Sequence, residues 1–165
     1  MKTTNTIFKN YISPILIIIA LVVLDQFTKA LAVIHLKGQE SIVLIKGIFQ
    51  LHYLENKGAA FGMMQNRQIL FTIGAVLIIC VIAYFWRRIP FVRKYIPFRI
   101  CSVLIVSGAI GNMIDRLIQN YVVDFFYFSL IDFPIFNVAD IYVTVACFLF
   151  AYLMIFHYKE DDLNF

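Results

Sequence analysis

Carboxylates are scarce in this chain: ten Asp and Glu are spread over 165 residues, against 14 Lys and Arg. Few positions are therefore available for acid–base work, and each one is informative. Cysteine is scarcer still, with three residues. Cys80, Cys101 and Cys147 fall in apolar runs with no metal-ligand spacing, so neither a disulfide framework nor a thiolate metal site is expected. His35, His52 and His157 form no HExxH or comparable pattern, which removes the familiar zinc-hydrolase signature. No GxSxG turn occurs, and Ser102 and Ser107 have no histidine or lysine nearby in sequence to serve as a base. The expectation is an activity with no metal and no cofactor.

Charge is also missing from long stretches. The chain is 62% hydrophobic with a mean hydropathy of +0.84, and its apolar residues fall in blocks. Ile12 to Val33, Gln68 to Trp86, Ile100 to Ile118 and Phe136 to His157 each approach the roughly 20 residues a helix needs to cross hydrocarbon. The expected fold class is a membrane all-α protein with four transmembrane helices, forming one domain over residues 1–165. Residues 1–32 imitate a cleavable signal peptide, but Asp25 and Lys29 interrupt the stretch before Ala30-Leu31-Ala32, and cleavage is not expected.

Basic residues give the orientation. Arg87, Arg88, Arg93, Lys94 and Arg99 crowd the link between the second and third blocks, with no acid among them. Lys37, Lys46, Lys57 and Arg67 are spread over a longer link and mixed with Glu40 and Glu55. The positive-inside rule puts the 87–99 link and both termini in the cytoplasm. The net charge of +4 belongs to these links and implies no nucleic-acid partner.

That orientation gathers the unusual polar residues at the outer face: Asp25 and Lys29, then Asn112, Asp115 and Arg116, then Asp124, then Asn137 and Asp140. A carboxylate at bilayer depth is expensive, so each is a candidate functional residue. Asp25 and Lys29 are spaced i,i+4 and can pair. Gly108, Asn112 and Arg116 repeat every four residues, beside small residues that let another helix approach closely. Asn137 and Asp140 are i,i+3, with Thr144 on the same face. Plainer readings stand beside these. Asp25 and Lys29 can simply neutralise each other, Asp115 and Arg116 can form a structural ion pair, and Asn137 can cap a helix whose first turn holds Asp140.

The link between the first two blocks is long. Ser41 to Ile45 and Ile48 to Leu54, split by Lys46-Gly47, read as a hairpin within a β-rich segment at about 37–62. Asn56 to Gly62 follows as a small, flexible stretch. A sheet there would cradle a substrate beside the polar site. With other catalytic arrangements removed, an aspartate pair activating water, one as base and one as acid, remains. The rival reading is a small proton- or ion-coupled transporter subunit, but a relay spreads polar groups through the membrane depth and the inner halves here are apolar. The GxGD motif of another intramembrane protease class is absent.

Five motifs then occur in order: Asp25-Gln26-Phe27-Thr28-Lys29, Asn56-Lys57-Gly58-Ala59-Ala60-Phe61, Gly108-Ala109-Ile110-Gly111-Asn112-Met113-Ile114-Asp115-Arg116, Val122-Val123-Asp124-Phe125 and Phe136-Asn137-Val138-Ala139-Asp140. Over residues 20–145 the chain closely resembles bacterial lipoprotein signal peptidase (signal peptidase II), with Ser107 standing where that family usually has glycine. The resemblance implies an aspartic endopeptidase of the bacterial cytoplasmic membrane that cuts diacylglyceryl-modified prolipoproteins just before the lipidated cysteine. It implies Asp124 and Asp140 as the catalytic pair. Asp25, Lys29, Asn56, Gly108, Asn112, Arg116 and Asn137 take supporting or substrate-binding roles. Asp115 competes for a catalytic place and ranks lower, because Arg116 next door should hold it ionised. The resemblance further implies contact with membrane lipid, an outer β-cradle, no metal, and inhibition by cyclic peptides of the globomycin type. Asp124 and Asp140 are expected to face each other across a water, with Asn112, Arg116 and Asn137 around them.

Overall fold

The computed structural model describes residues 7–58 and 67–163. Among these, four helices are long and apolar enough to cross a membrane: Phe8–Leu36, Gln68–Trp86, Arg93–Gln119 and Val138–His157. Their regular α-helical parts are α1 (Ser13–Leu36), α2 (Gln68–Trp86), α3 (Ile96–Gln119) and α4 (Val138–Tyr152). Local sequence sets their ends. α1 and α3 each carry a proline in the first turn, where the missing N–H costs nothing. For α3 this start lies four residues before the apolar block. α3 ends at Asn120, whose left-handed φ of 62° turns its N–H onto the Arg116 carbonyl, a helix stop that asparagine tolerates. α4 begins two residues after Phe136, because Asn137 is extended and caps the helix.

The predicted hairpin is present as β1 (Ile42–Ile45) and β2 (Phe49–Asn56). Gly47, at φ 72°, supplies the positive dihedral of the connecting turn. The sheet also has a third strand, β3 (Val122–Phe128), antiparallel to β2, in the order β1-β2-β3. The sequence reading has this segment only as a link. Val122, Val123, Asp124 and Phe125 are all buried, so the strand lacks the apolar–polar alternation that marks one with a wet face. Its register sets Leu54 opposite Asp124 and Asn56 opposite Val122. Asn56 is therefore the last residue of β2, not part of a flexible loop. The rest of that motif, Ala59 to Gly62, lies outside the described residues.

Two packing features position the site. Ala32 and Leu36 of α1 pack with Val123 and Phe125 of β3, fixing the sheet against the end of the bundle. Gly108 and Gly111 let α3 approach its neighbours: a methyl at Gly108 would fall 2.5 Å from the Ala139 carbonyl oxygen, and one at Gly111 2.6 Å from Asp25 Oδ2. The close approach expected of these small residues is realised against α4 and α1 respectively. At the opposite end, Arg99 donates to the Ile89 carbonyl and lies over the rings of Phe91 and Trp86, holding the basic link onto the bundle.

Candidate active site

The site is built where the sheet meets the C-terminal halves of α1 and α3 and the first turn of α4. Asn137 explains why α4 starts there. Its side-chain oxygen accepts from the Asp140 backbone N–H at 3.0 Å, while Asp140 Oδ2 accepts from the Asn137 N–H at 3.1 Å. This is a reciprocal capping box. Cap and first-turn acid, the plain reading, is thus correct, and it does not exhaust the geometry. With its oxygen held by the helix, the Asn137 amide nitrogen is forced outward, where it donates to Asp124 Oδ1 at 2.6 Å and to Asn112 Oδ1 at 3.0 Å.

Asp124 arrives on β3 and is 1% exposed. Its other oxygen accepts from Asn56 Nδ2 at 2.8 Å. Asn56 is itself oriented, because its oxygen takes the Gly58 N–H at 2.9 Å. Both of these Asp124 contacts are therefore amide nitrogens that cannot turn round without losing another bond. Burial raises the Asp124 carboxyl from its ordinary 3.8 to about 7, and the charge of Asp140 adds to the rise. Asp140 accepts from Asn112 Nδ2 at 2.8 Å on its second oxygen. The two carboxylates line one cavity of about 390 Å³ together with Asn56, Arg116, Phe136 and Thr144.

Behind this pair lies a second, drier cluster. Lys29 Nζ is 2.9 Å from Asp25 and 3.1 Å from Asp115, and donates to Asn112 Oδ1 at 2.9 Å. Asp25 also accepts the Ala139 N–H at 2.9 Å, and Asp115 the Val123 N–H at 3.1 Å. The Asp115–Arg116 pairing expected from sequence does not occur. Neighbours in a helix point about 100° apart and do not face each other. Arg116 instead lies over the Phe71 ring, 4.9 Å from its centroid, and lines the cavity. The partner of Asp115 is Lys29. The residue sequence reasoning passed over is Gln26, whose amide donates to Asp25, Asp115 and the Gly111 carbonyl. Its signal was an uncharged polar side chain at bilayer depth beside Asp25. Among the described residues no group of His, Cys, Asp and Glu could hold a metal ion.

The model of the family "Signal peptidase (SPase) II" matches residues 17–156, most of the chain. The chain belongs to the signal peptidase II family. It is 43% identical over 152 residues to a lipoprotein signal peptidase of Clostridium tetani, covering 89% of this chain and 93% of that one. With its counterpart from Caldanaerobacter subterraneus the identity is 44% over 143 residues, covering 86% and 95%. A solved bacterial membrane enzyme matches with a TM-score of 0.77 at 29% identity, covering 91% of this chain and 93% of that one. The protein is accordingly a multi-pass membrane peptidase of the lipoprotein-processing kind. The transporter reading finds no support in these relationships.

Proposed function

We propose that the 1–165 chain works as one membrane-embedded domain in which Asp124 and Asp140 cut the signal peptide of a diacylglyceryl-modified prolipoprotein just before its lipidated cysteine. The observation that carries this reading is a single residue, Asn137, which donates to both carboxylates where they line one cavity: its backbone N–H to Asp140 and its side-chain amide to Asp124. A water between the carboxylates attacks the scissile carbonyl. Asp140 takes the water proton, and Asp124, whose carboxyl titrates near neutrality, supplies one to the leaving nitrogen. Arg116, on the cavity wall, offers positive charge where the tetrahedral intermediate becomes negative. The amides of Asn56, Asn112 and Asn137 hold the carboxylates in place. Asp25, Lys29, Asp115 and Gly108 hold the elements that carry them.

The proposed setting is the bacterial cytoplasmic membrane, with both termini cytoplasmic and the site near the outer face. Arg87, Arg88, Arg93, Lys94 and Arg99 lie toward the end of the bundle away from the dyad, as the positive-inside rule requires of a cytoplasmic link. The apolar walls of the cavity, among them Ile141 and Val145 of α4, suit a substrate that enters sideways with its acyl chains still in membrane lipid. Cyclic peptides of the globomycin type would compete for the same cavity.

Incubation of the purified protein with a lipid-modified lipobox peptide tests the reading. Release of the signal peptide by the wild type, and none by Asp124→Asn or Asp140→Asn, is the expected result. Substantial turnover by either variant overturns the dyad.

A further inference from the structure

The carboxamide of Asn112 can meet Asp140 with its nitrogen or with its oxygen, and the two choices have opposite chemical consequences. Its oxygen accepts from Lys29 Nζ at 2.9 Å and from Asn137 Nδ2 at 3.0 Å, and its nitrogen donates to Asp140 Oδ1 at 2.8 Å. An ammonium has donors only. Whatever faces Lys29 must therefore be the oxygen, and the nitrogen is left for Asp140. We propose that Lys29 is a positioning residue for the peptidase reaction: its ammonium fixes the Asn112 carboxamide so that Asp140 always meets a donor. The proposal rests on the dyad reading above.

Reversal of the amide would set Asn112 Oδ1 against Asp140 Oδ1, two acceptors in contact. That arrangement is tolerable only with a proton between them, and an Asp140 that already holds a proton cannot take one from water. The orientation of one uncharged side chain thus decides whether Asp140 is available as a base. Asn137 Nδ2 favours the same orientation, but it is shared with Asp124 Oδ1. Lys29 gives the decision its strength, since a bond from a charged donor is roughly twice as strong as a neutral one.

The setting of Lys29 fits this role better than a purely structural one. Its side chain is 4% exposed, and a buried ion pair usually adds little net stability over well-packed apolar residues. Here three charged groups are kept dry, and each anion reaches an element of the dyad. Asp25 holds the Ala139 N–H in the first turn of α4, and Asp115 holds the Val123 N–H beside Asp124. Lys29 is thereby located against both catalytic elements before it touches Asn112. The charged groups acting on Asp140 are Asp124 from β3, Arg116 from α3, and Lys29 and Asp25 from α1; α2 contains no Asp, Glu, Lys or Arg.

Two variants separate positioning from simple ion pairing, read as kcat, KM and thermal unfolding on the lipid-modified lipobox peptide. Asn112→Asp keeps an acceptor for Lys29 and Asn137, replaces the donor facing Asp140 by a second acceptor oxygen, and adds a carboxyl group there. In the folded fraction, measured by thermal unfolding, kcat should be lowered about tenfold or more and KM should stay within about twofold. Lys29→Met should lower kcat comparably and move the acid limb of the pH–rate profile to higher pH, because a reversed amide traps a proton on Asp140 and the lost ammonium charge acts in the same direction. Wild-type kcat in Asn112→Asp overturns the proposal. So does a Lys29→Met profile with an unmoved acid limb and a rate that merely follows the folded fraction. If Lys29→Met does not fold, Asn112→Asp decides alone. Asp140→Asn in the same assay keeps the two readings apart. Turnover there removes the dyad itself, whereas its silence beside a fully active Asn112→Asp removes only the role of Lys29.

Discussion

Replacing Asp124 by asparagine should abolish cleavage and, at the same time, remove the loss of stability that the Asp124 carboxyl brings as the pH rises. The Asp124 carboxyl is raised from 3.8 to about 7, by burial first and by Asp140 second. A carboxyl raised on folding binds its proton more tightly in the folded state than in the unfolded one. Stability is therefore undiminished below about pH 4, falls as the pH climbs toward 7, and carries the full penalty above it. A rise from 3.8 to about 7, at 1.36 kcal/mol per pH unit, amounts to about 4 kcal/mol. Asparagine carries no such penalty, but it turns one amide nitrogen toward Asn56 or Asn137, whose own nitrogens are fixed as donors. That mismatch costs about 1–3 kcal/mol at every pH. The variant should therefore be less stable than the wild type near pH 4 and more stable near pH 8. The swing between the two conditions is about 4 kcal/mol, or roughly 8–16 °C in a chain of this size. Thermal unfolding in one detergent at the two pH values reads it directly. Parallel shifts at both would show that Asp124 does not titrate near neutrality, and the assignment of the general acid would fail with it.

Cleavage by the wild type should fall on both sides of an optimum, with the alkaline limb near pH 7 where Asp124 loses its proton; a rate flat across that limb would refute the dyad. Asp115→Asn should lower the unfolding temperature and impair cleavage only in part, because it leaves Lys29 paired with Asp25; complete inactivity in a folded variant would return Asp115 to the catalytic candidates. Gly108→Ala places a methyl 2.5 Å from the Ala139 carbonyl and 2.6 Å from Val143 Cγ2, so α4 must shift at a cost of about 1–3 kcal/mol. Activity should drop with it, since that turn holds Asn137 and Asp140, and an unchanged rate and melting temperature would contradict the packing.

The four spans were legible because hydropathy over some 20 residues has no competing explanation in a chain this apolar. The Gln68–Trp86 segment was bounded to the residue, since charge stops abruptly at both ends. Composition announced the hairpin through Lys46-Gly47. What stayed hidden depends on partners distant in sequence. β3 is covered on both faces by α1 and its neighbours, so it carries no alternating pattern. The ion pair of Asp115 crosses from α3 to α1, and adjacency with Arg116 in sequence pointed the wrong way. The double use of Asn137, as helix cap and as link between the carboxylates, follows only once β3 is placed.

β1 is an oily ribbon with no dry side: Ile42, Val43, Leu44 and Ile45 are 46–56% exposed. Such an edge would be an aggregation hazard in water, and its unpaired backbone groups would be costly deep in hydrocarbon. It is at ease only at the boundary between headgroups and acyl chains. Since β1, β2 and β3 form one sheet and Asp124 rides on β3, the edge that must find a half-wet, half-oily home is tied through two ladders of hydrogen bonds to a carboxylate of the dyad.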